Sequence, residues 1–137
     1  MGGGGPGGFR RGPLRLLLDS VILIDHFNGR EEATRYLSRV GPEAALSVIT
    51  RAEVLAGFDP AGMAAAAGLL DRFPTLGIDR PVADLAARLR REHRWKIPDA
   101  LQAALASYHS LGLVTRNTRD FPPDRHAFVV VPYVLGG

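Results

Sequence analysis

The stretch that most narrows the possible folds is Leu14 to Phe27, LRLLLDSVILIDHF. Leu16, Leu17 and Leu18 form a short apolar run cut off by a charge, the pattern of a strand buried on both faces. Asp19 stands where that run gives way to a helix carrying Val21 to Ile24, which Asp19 or Ser20 can cap and Asn28 and Gly29 can stop. An α/β protein tends to place its chemistry at the carboxyl end of a central strand. The rest of the chain therefore faces one question: which later segments bring polar groups back to Asp19?

Those segments alternate. Glu31 to Val40 reads as a helix with Ala33, Leu37 and Val40 on one face, ended by Gly41 and Pro42. Ala44 to Ile49 is a second strand. Thr50 and Glu53 have the spacing of a capping box, and the helix they open breaks near Gly57 and restarts at Asp59 and Pro60, running toward Leu69 and Phe73. Thr75 to Ile78 is a short third strand. Pro81 opens a helix in which Val82, Leu85, Ala86 and Leu89 recur at helical spacing. Pro98 and Asp99 begin another, with Leu101, Leu105, Tyr108 and Leu111 as its stripe and Gly112 closing it. Leu113 to Thr115 and Phe128 to Val131 supply the fourth and fifth strands. Strands separated by helices predict a three-layer α/β/α fold around a mainly parallel sheet of four or five strands.

Composition bounds the function. With 137 residues and 46% hydrophobic content, the chain suits a single domain over residues 14–137. Residues 1–13, MGGGGPGGFRRGP, read as a flexible glycine-rich leader without the apolar centre of a secretory signal. The absence of Cys excludes disulfides and thiolate metal sites, and no apolar run is long enough for a membrane helix, so a cytoplasmic location is expected. Seventeen basic residues against 14 acidic ones, a net +3, permit a nucleic-acid partner without requiring one.

Four carboxylates each have a structural explanation. Asp19 can cap a helix, Glu53 can complete a capping box, Asp99 can favour the positive end of its helix, and Asp120 can sit solvated in a proline-bounded loop. Asp25 fits the register of the first helix and is given a structural role. Together the positions say more: Asp19 follows strand one, Glu53 starts the helix after strand two, Asp99 starts the helix before strand four, and Asp120 follows strand four. If strands one and four are central neighbours, the chain ends after them share the crevice where open α/β sheets bind ligands. Clustered carboxylates repel, so the cluster calls for protons or for hard cations such as Mg²⁺ or Mn²⁺, which suit carboxylate ligands and phosphate substrates. No HExxH occurs, and the four histidines are scattered, read as surface or loop residues, so a zinc protease is a poor match. His93, at the edge of the basic stretch from Arg80, is the one histidine placed to meet a substrate.

The segments LLLDSVILIDHF, TRAEVLAG, IPDALQAALA and LVTRNTRDF, in this order, resemble the PIN domain and within it the VapC-type ribonuclease toxins of toxin–antitoxin pairs. The resemblance covers about Leu14 to Pro132. It implies a compact α/β/α fold and a metal-dependent endoribonuclease with Asp19, Glu53 and Asp99 as its principal acids, and Asp120 or Asn117 as the fourth site group. Thr115 and Ser20 resemble the small hydroxyl residues that support such a cluster. The resemblance also implies an RNA substrate, a homodimer, and a cognate antitoxin whose C-terminal segment covers the active groove. Apolar residues offered for those surfaces are Val54, Leu55, Phe58, Leu69, Leu70 and Phe73, with the core as their alternative. One departure is Val21, where many relatives carry Asn or Ser.

The mechanism expected is phosphodiester hydrolysis supported by Mg²⁺, with Mn²⁺ as a possible substitute, held by Asp19 and Asp99 with Glu53 and Asp120 completing the shell. Glu53 can alternatively orient or deprotonate the attacking water. Arg51, Arg116 and Arg119 flank the cluster as candidates for substrate phosphates. Two competitors are a phosphatase-like enzyme using Asp19 as a covalent nucleophile, and a non-catalytic RNA-binding or protein-binding module.

Overall fold

The computed structural model describes residues 12–136, so the expected leader lies outside the described residues except for Gly12 and Pro13. Five strands form one sheet: β1 (Leu16–Leu18), β2 (Ala44–Ser47), β3 (Thr75–Leu76), β4 (Gly112–Val114) and β5 (Val129–Val130). Their order is β3-β2-β1-β4-β5, and every neighbouring pair is parallel. The Leu16–Leu18 run is thus the central strand, paired with Ala44–Leu46 on one side and Gly112–Val114 on the other. Alternation along the strands divides the core. Leu17, Ala45, Leu113 and Val129 face one layer, and Leu18, Leu46 and Val114 face the other.

Helices α1 (Ser20–Phe27), α2 (Glu31–Val40), α3 (Val48–Leu55) and α4 (Pro60–Leu70) cover the second face, through Ile22, Leu37, Val54 and Leu70. Helices α5 (Arg80–His93) and α6 (Ile97–Tyr108) cover the first, through Val82, Ala86, Ala103 and Leu105. The predicted three-layer α/β/α arrangement is what forms. The polypeptide reverses hand after α1 at Gly29, whose φ of +78° is comfortable only without a side chain.

Several local expectations change. Ser47, not Thr50, caps α3: its hydroxyl accepts from the Thr50 N–H at 2.9 Å, so Val48 and Ile49 belong to the helix and not to the strand. Thr50 and Glu53 therefore form no capping box. The α6 stripe holds in part: Leu105 and Leu111 are buried and Leu101 packs against the same core. The helix's buried face is Ala100, Gln102, Ala103, Ala104, Leu105 and Ala106, while Tyr108 is exposed. Gly112 does not close that helix but opens β4, where a Cβ would meet Val130 Cγ2 at 2.9 Å and push β5 away. Small residues on α6 let it lie close to the sheet, which an apolar stripe of large residues would prevent.

Candidate active site

Asp19 is the first residue beyond the central strand. Its backbone N–H continues the sheet pattern by donating to Val114 O at 2.9 Å, and its extended backbone makes it the N-cap of α1. The side chain is buried, 8% exposed, and its two oxygens are held by three donors. Oδ1 accepts from the Ser20 backbone N–H at 2.9 Å and from Gln102 Nε2 at 3.2 Å, and Oδ2 accepts from Thr115 Oγ1 at 2.6 Å. These three donors, on both oxygens, fix the plane of the carboxylate.

The supporting residues come from four elements. Gln102 Nε2 also donates to Thr50 Oγ1 at 2.7 Å, and Thr50 Oγ1 donates onward to Leu18 O at 3.2 Å. Because Ser47 has taken the capping role, the Thr50 hydroxyl is free for this link. Thr115 Oγ1 in turn accepts the Asn117 N–H at 3.0 Å, which folds the loop after β4 back over the site. In that loop Asn117 Nδ2 donates to Asp120 Oδ2 at 3.0 Å, and Trp95 Nε1 donates to the Asp120 backbone carbonyl at 2.8 Å. Asn117 and Asp120 are therefore partners and not alternatives in space. Ser20 acts through its backbone N–H; Thr115 acts through its hydroxyl.

Asp99 reaches the same place. It lies in the first turn of α6, three residues before Gln102, and so shares a face with the amide that touches Asp19. Burial, followed by repulsion from Asp120, Asp19 and Glu53, pushes its carboxyl up to about 6. Carboxylates from the end of β1, from α3, from α6 and from the loop after β4 thus act on one another. Glu53 and Asp120 are exposed, Asp99 is half-buried, and only Asp19 is enclosed. Among the described residues, the Glu53 and Asp99 carboxylates make no hydrogen bond or ion pair. Also among the described residues, no group of three acidic or histidine side chains is drawn together tightly enough to hold a metal ion as it stands.

The arginines divide. Arg116 is committed to Asp25, with Nε to Oδ2 at 2.6 Å and Nη2 to Oδ1 at 2.8 Å, and Tyr133 Oη donates to the same Oδ2 at 2.8 Å. Burial works to raise the Asp25 carboxyl, but the Arg116 and Tyr133 hydrogen bonds and the guanidinium charge outweigh it and hold the group below its ordinary range. Asp25 is therefore structural, and Arg116 is its counterion rather than a free phosphate ligand. Arg51 pairs with Asp71 at 2.8 Å, whereas Arg119 is exposed and unpaired among the described residues.

Gln102 and the Thr50 relay, which support Asp19, are positions that sequence reasoning missed. The available signal was an amide in the alanine-rich run LQAALA, one turn after Asp99 on a face otherwise apolar. A buried amide requires a partner, but Asp19 and Thr50, 83 and 52 residues away, are not identified by any local pattern.

Comparison with known proteins gives the same reading. The family model of the PIN domain matches residues 16–123. A curated relative, Ribonuclease VapC19 of Mycobacterium tuberculosis, is 31% identical over 114 residues, covering 77% of this chain and 91% of that protein. A solved toxin–antitoxin complex from Klebsiella pneumoniae contains a chain 39% identical, with a TM-score of 0.79 over 86% of this chain and 98% of that one. FitAcB from Neisseria gonorrhoeae is 26% identical with a TM-score of 0.67, over 77% of this chain and 90% of that one. A family model over most of the chain, a relative at 31% identity and a solved structure at 39% agree with the parallel sheet described above: the chain belongs to the PIN-domain family, as a VapC-type toxin of a toxin–antitoxin pair.

Proposed function

We propose that the chain is a divalent-metal-dependent endoribonuclease, hydrolysing RNA phosphodiester bonds at the Asp19, Glu53, Asp99 and Asp120 cluster. The observation that carries this reading is the raised Asp99 carboxyl, which burial and three neighbouring acids push up to about 6. Acids gathered so that they oppose one another's ionisation bring no stability of their own, and a hard cation offsets that cost. The donor set, all carboxylate oxygen with no sulfur, fits Mg²⁺ or Mn²⁺. Asp19 and Asp99 would hold the ion, with Glu53 and Asp120 completing its shell directly or through water. When bound, the ion supplies a more acidic water and charge neutralisation at the phosphoryl oxygens.

The protein's own groups do the rest. Gln102, Thr115 and the Ser20 N–H keep the Asp19 carboxylate oriented. Glu53, exposed and unpaired beside the cluster, is placed to orient the attacking water or take its proton. Arg119 offers a guanidinium to the substrate phosphate, and Asn117 holds the Asp120 carboxylate in place. A phosphatase-like reading with Asp19 as covalent nucleophile gives Glu53 no role and lacks a second acid two residues on, where Val21 stands.

The 39% identity to a chain of a toxin–antitoxin complex supports a cognate antitoxin as the inhibitor, and a homodimer goes with the same reading. Of the apolar residues offered for these surfaces, Val54, Leu70 and Phe73 are core and are withdrawn. Phe58 instead joins Ile24, Phe27 and Asn28 around a cavity of about 200 Å³ that Glu53 also lines. An inhibitory segment seated there would lie directly against the site.

The test is RNA cleavage by antitoxin-free protein with Mg²⁺ or Mn²⁺, against an EDTA control and Asp99→Asn. Cleavage that needs the metal and is lost in the variant is expected. Equal cleavage by the variant would remove Asp99 from the site.

A further inference from the structure

Beside the acidic cluster lies a second concavity of about 250 Å³, walled by His93, Arg94, Trp95, Arg119, Arg125 and His126, with Asp120 on its rim. We propose that this pocket seats one nucleotide of the RNA strand next to the scissile bond, its phosphate on the arginines and its base against the His93 ring. The proposal rests on the nuclease reading and assigns the site a polarity: acids on one side of Asp120, a cationic and aromatic pocket on the other.

Three features separate this pocket from ordinary surface charge. The first is its construction. Trp95 is 6% exposed and forms the floor, stacked on His93 with ring centroids 4.3 Å apart and touching His126 at 5.2 Å. Its Nε1 is bonded to the Asp120 carbonyl, and its own carbonyl accepts from Arg90 Nη1 at 2.7 Å. The floor is thus fastened to the loop that carries a cluster acid, and pocket and cluster keep a fixed relation.

The second is charge. Among the described residues, none of Arg94, Arg119 and Arg125 is in an ion pair, although Arg15, Arg35, Arg51 and Arg116 all are. Three unpaired guanidiniums around one small cavity suit a phosphate, which can take up their donors in pairs. The third is backbone conformation. Arg94 has φ +59° and ψ +31° at the C-cap of α5, a left-handed position that favours glycine. An arginine held there gives up local stability and puts a cation on the pocket wall. Imidazole and guanidinium together are the chemistry of single-stranded RNA recognition, in which an unstacked base lies on a ring and its phosphate on a cation.

The left-handed turn also supplies a clean test. Arg94→Gly removes the cation while relieving the backbone, so its thermal midpoint should equal or exceed that of the wild type. Binding of a short, labelled, single-stranded RNA of mixed sequence would be measured by anisotropy, with Ca²⁺ in place of Mg²⁺ and strand integrity checked on a gel. Arg94→Gly and Arg125→Ala should each bind about tenfold more weakly, with the salt dependence of log K reduced by about 0.7 for each phosphate that no longer meets a guanidinium. His93→Ala should weaken binding several-fold with that slope unchanged, because stacking releases no counterions. Wild-type affinity and slope in both arginine variants, while the wild type still binds and cleaves RNA, would overturn the pocket and leave the nuclease standing. A wild type that neither binds nor cleaves RNA would overturn both.

Discussion

Helix α1 carries an acid at each end, and the two have opposite settings. Asp25, near its C-terminus, is buried with its own cation: Arg116 grips both oxygens and Tyr133 adds a third bond. Asp19, at its N-terminus, is buried among neutral donors and faces three further carboxylates. One acid is neutralised within the chain; the other is left with its charge directed at neighbours of the same sign. The contrast is one of counterions: Asp25 has its own within the fold, whereas Asp19, Glu53, Asp99 and Asp120 have no ion-pair partner among the described residues and, on the proposed function, take one from outside.

Asp99→Asn presses the contrast hardest. Cleavage is expected to fall on the order of a thousandfold, as for removal of a principal charge-stabilising group. The same variant should become more stable at neutral pH, by about 1 kcal/mol once solvent screening is allowed for. The sign follows from linkage: with its carboxyl raised from 3.8 to about 6, Asp99 binds more protons folded than unfolded. The wild type therefore loses stability as pH rises from about 4 to about 6, a loss the asparagine variant should not show in urea titrations across that range.

Arg116→Ala should do the reverse. It leaves Asp25 buried and unpaired, at a cost of about 3 kcal/mol in chemical denaturation, with residual cleavage per folded molecule largely kept. A large drop in cleavage without loss of stability would return Arg116 to the substrate side and break the comparison. The Asp25 carboxyl is held low, so the stability it contributes is present at neutral pH and fades as pH falls toward and below its ordinary value.

Gln102→Leu tests whether neutral donors matter to the open site. Removing the amide leaves Asp19 Oδ1 with one donor fewer, and cleavage should drop about tenfold, in kcat more than in KM. The smallest effect is on metal affinity. Mn²⁺ should bind more tightly as pH rises from 5 to 7, by at most about tenfold per unit below the Asp99 pKa, because a proton must leave before the carboxylate can ligate. Calorimetry in buffers of different ionisation heat would count that proton.

Much of this was legible in the chain. The Leu16–Leu18 run between two breaks placed the central strand, and the alternation of strands and helices placed the layers. Asp19 and Asp99 could be picked out because each falls at the start of a helix, whereas Glu53 turns out to lie well inside α3 and Asp120 in the loop after β4. Whether Thr50 or Ser47 capped α3 was not legible, since both can cap and only the length of β2, set by pairing with β1 and β3, decides between them. Nor were the partners of Asp25: Arg116 and Tyr133 lie 91 and 108 residues away, and no local pattern encodes such a distance. The stripe assigned to α6 held at Leu105 and Leu111, with Leu101 packed against the same core, and failed at Tyr108; periodicity did not single out the buried alanines and Gln102 beside them.

The hydrogen bonds on Asp19 have a consequence for synthesis. They join it to residues 83 and 96 positions later, and the Thr50 relay is closed by the same Gln102, 52 positions on. A chain still emerging from the ribosome can display its first acid early, but of that acid's three donors only the Ser20 N–H exists before Gln102 and Thr115 have been made. The pocket around Asp19 is thereby completed only near the end of the chain's own translation.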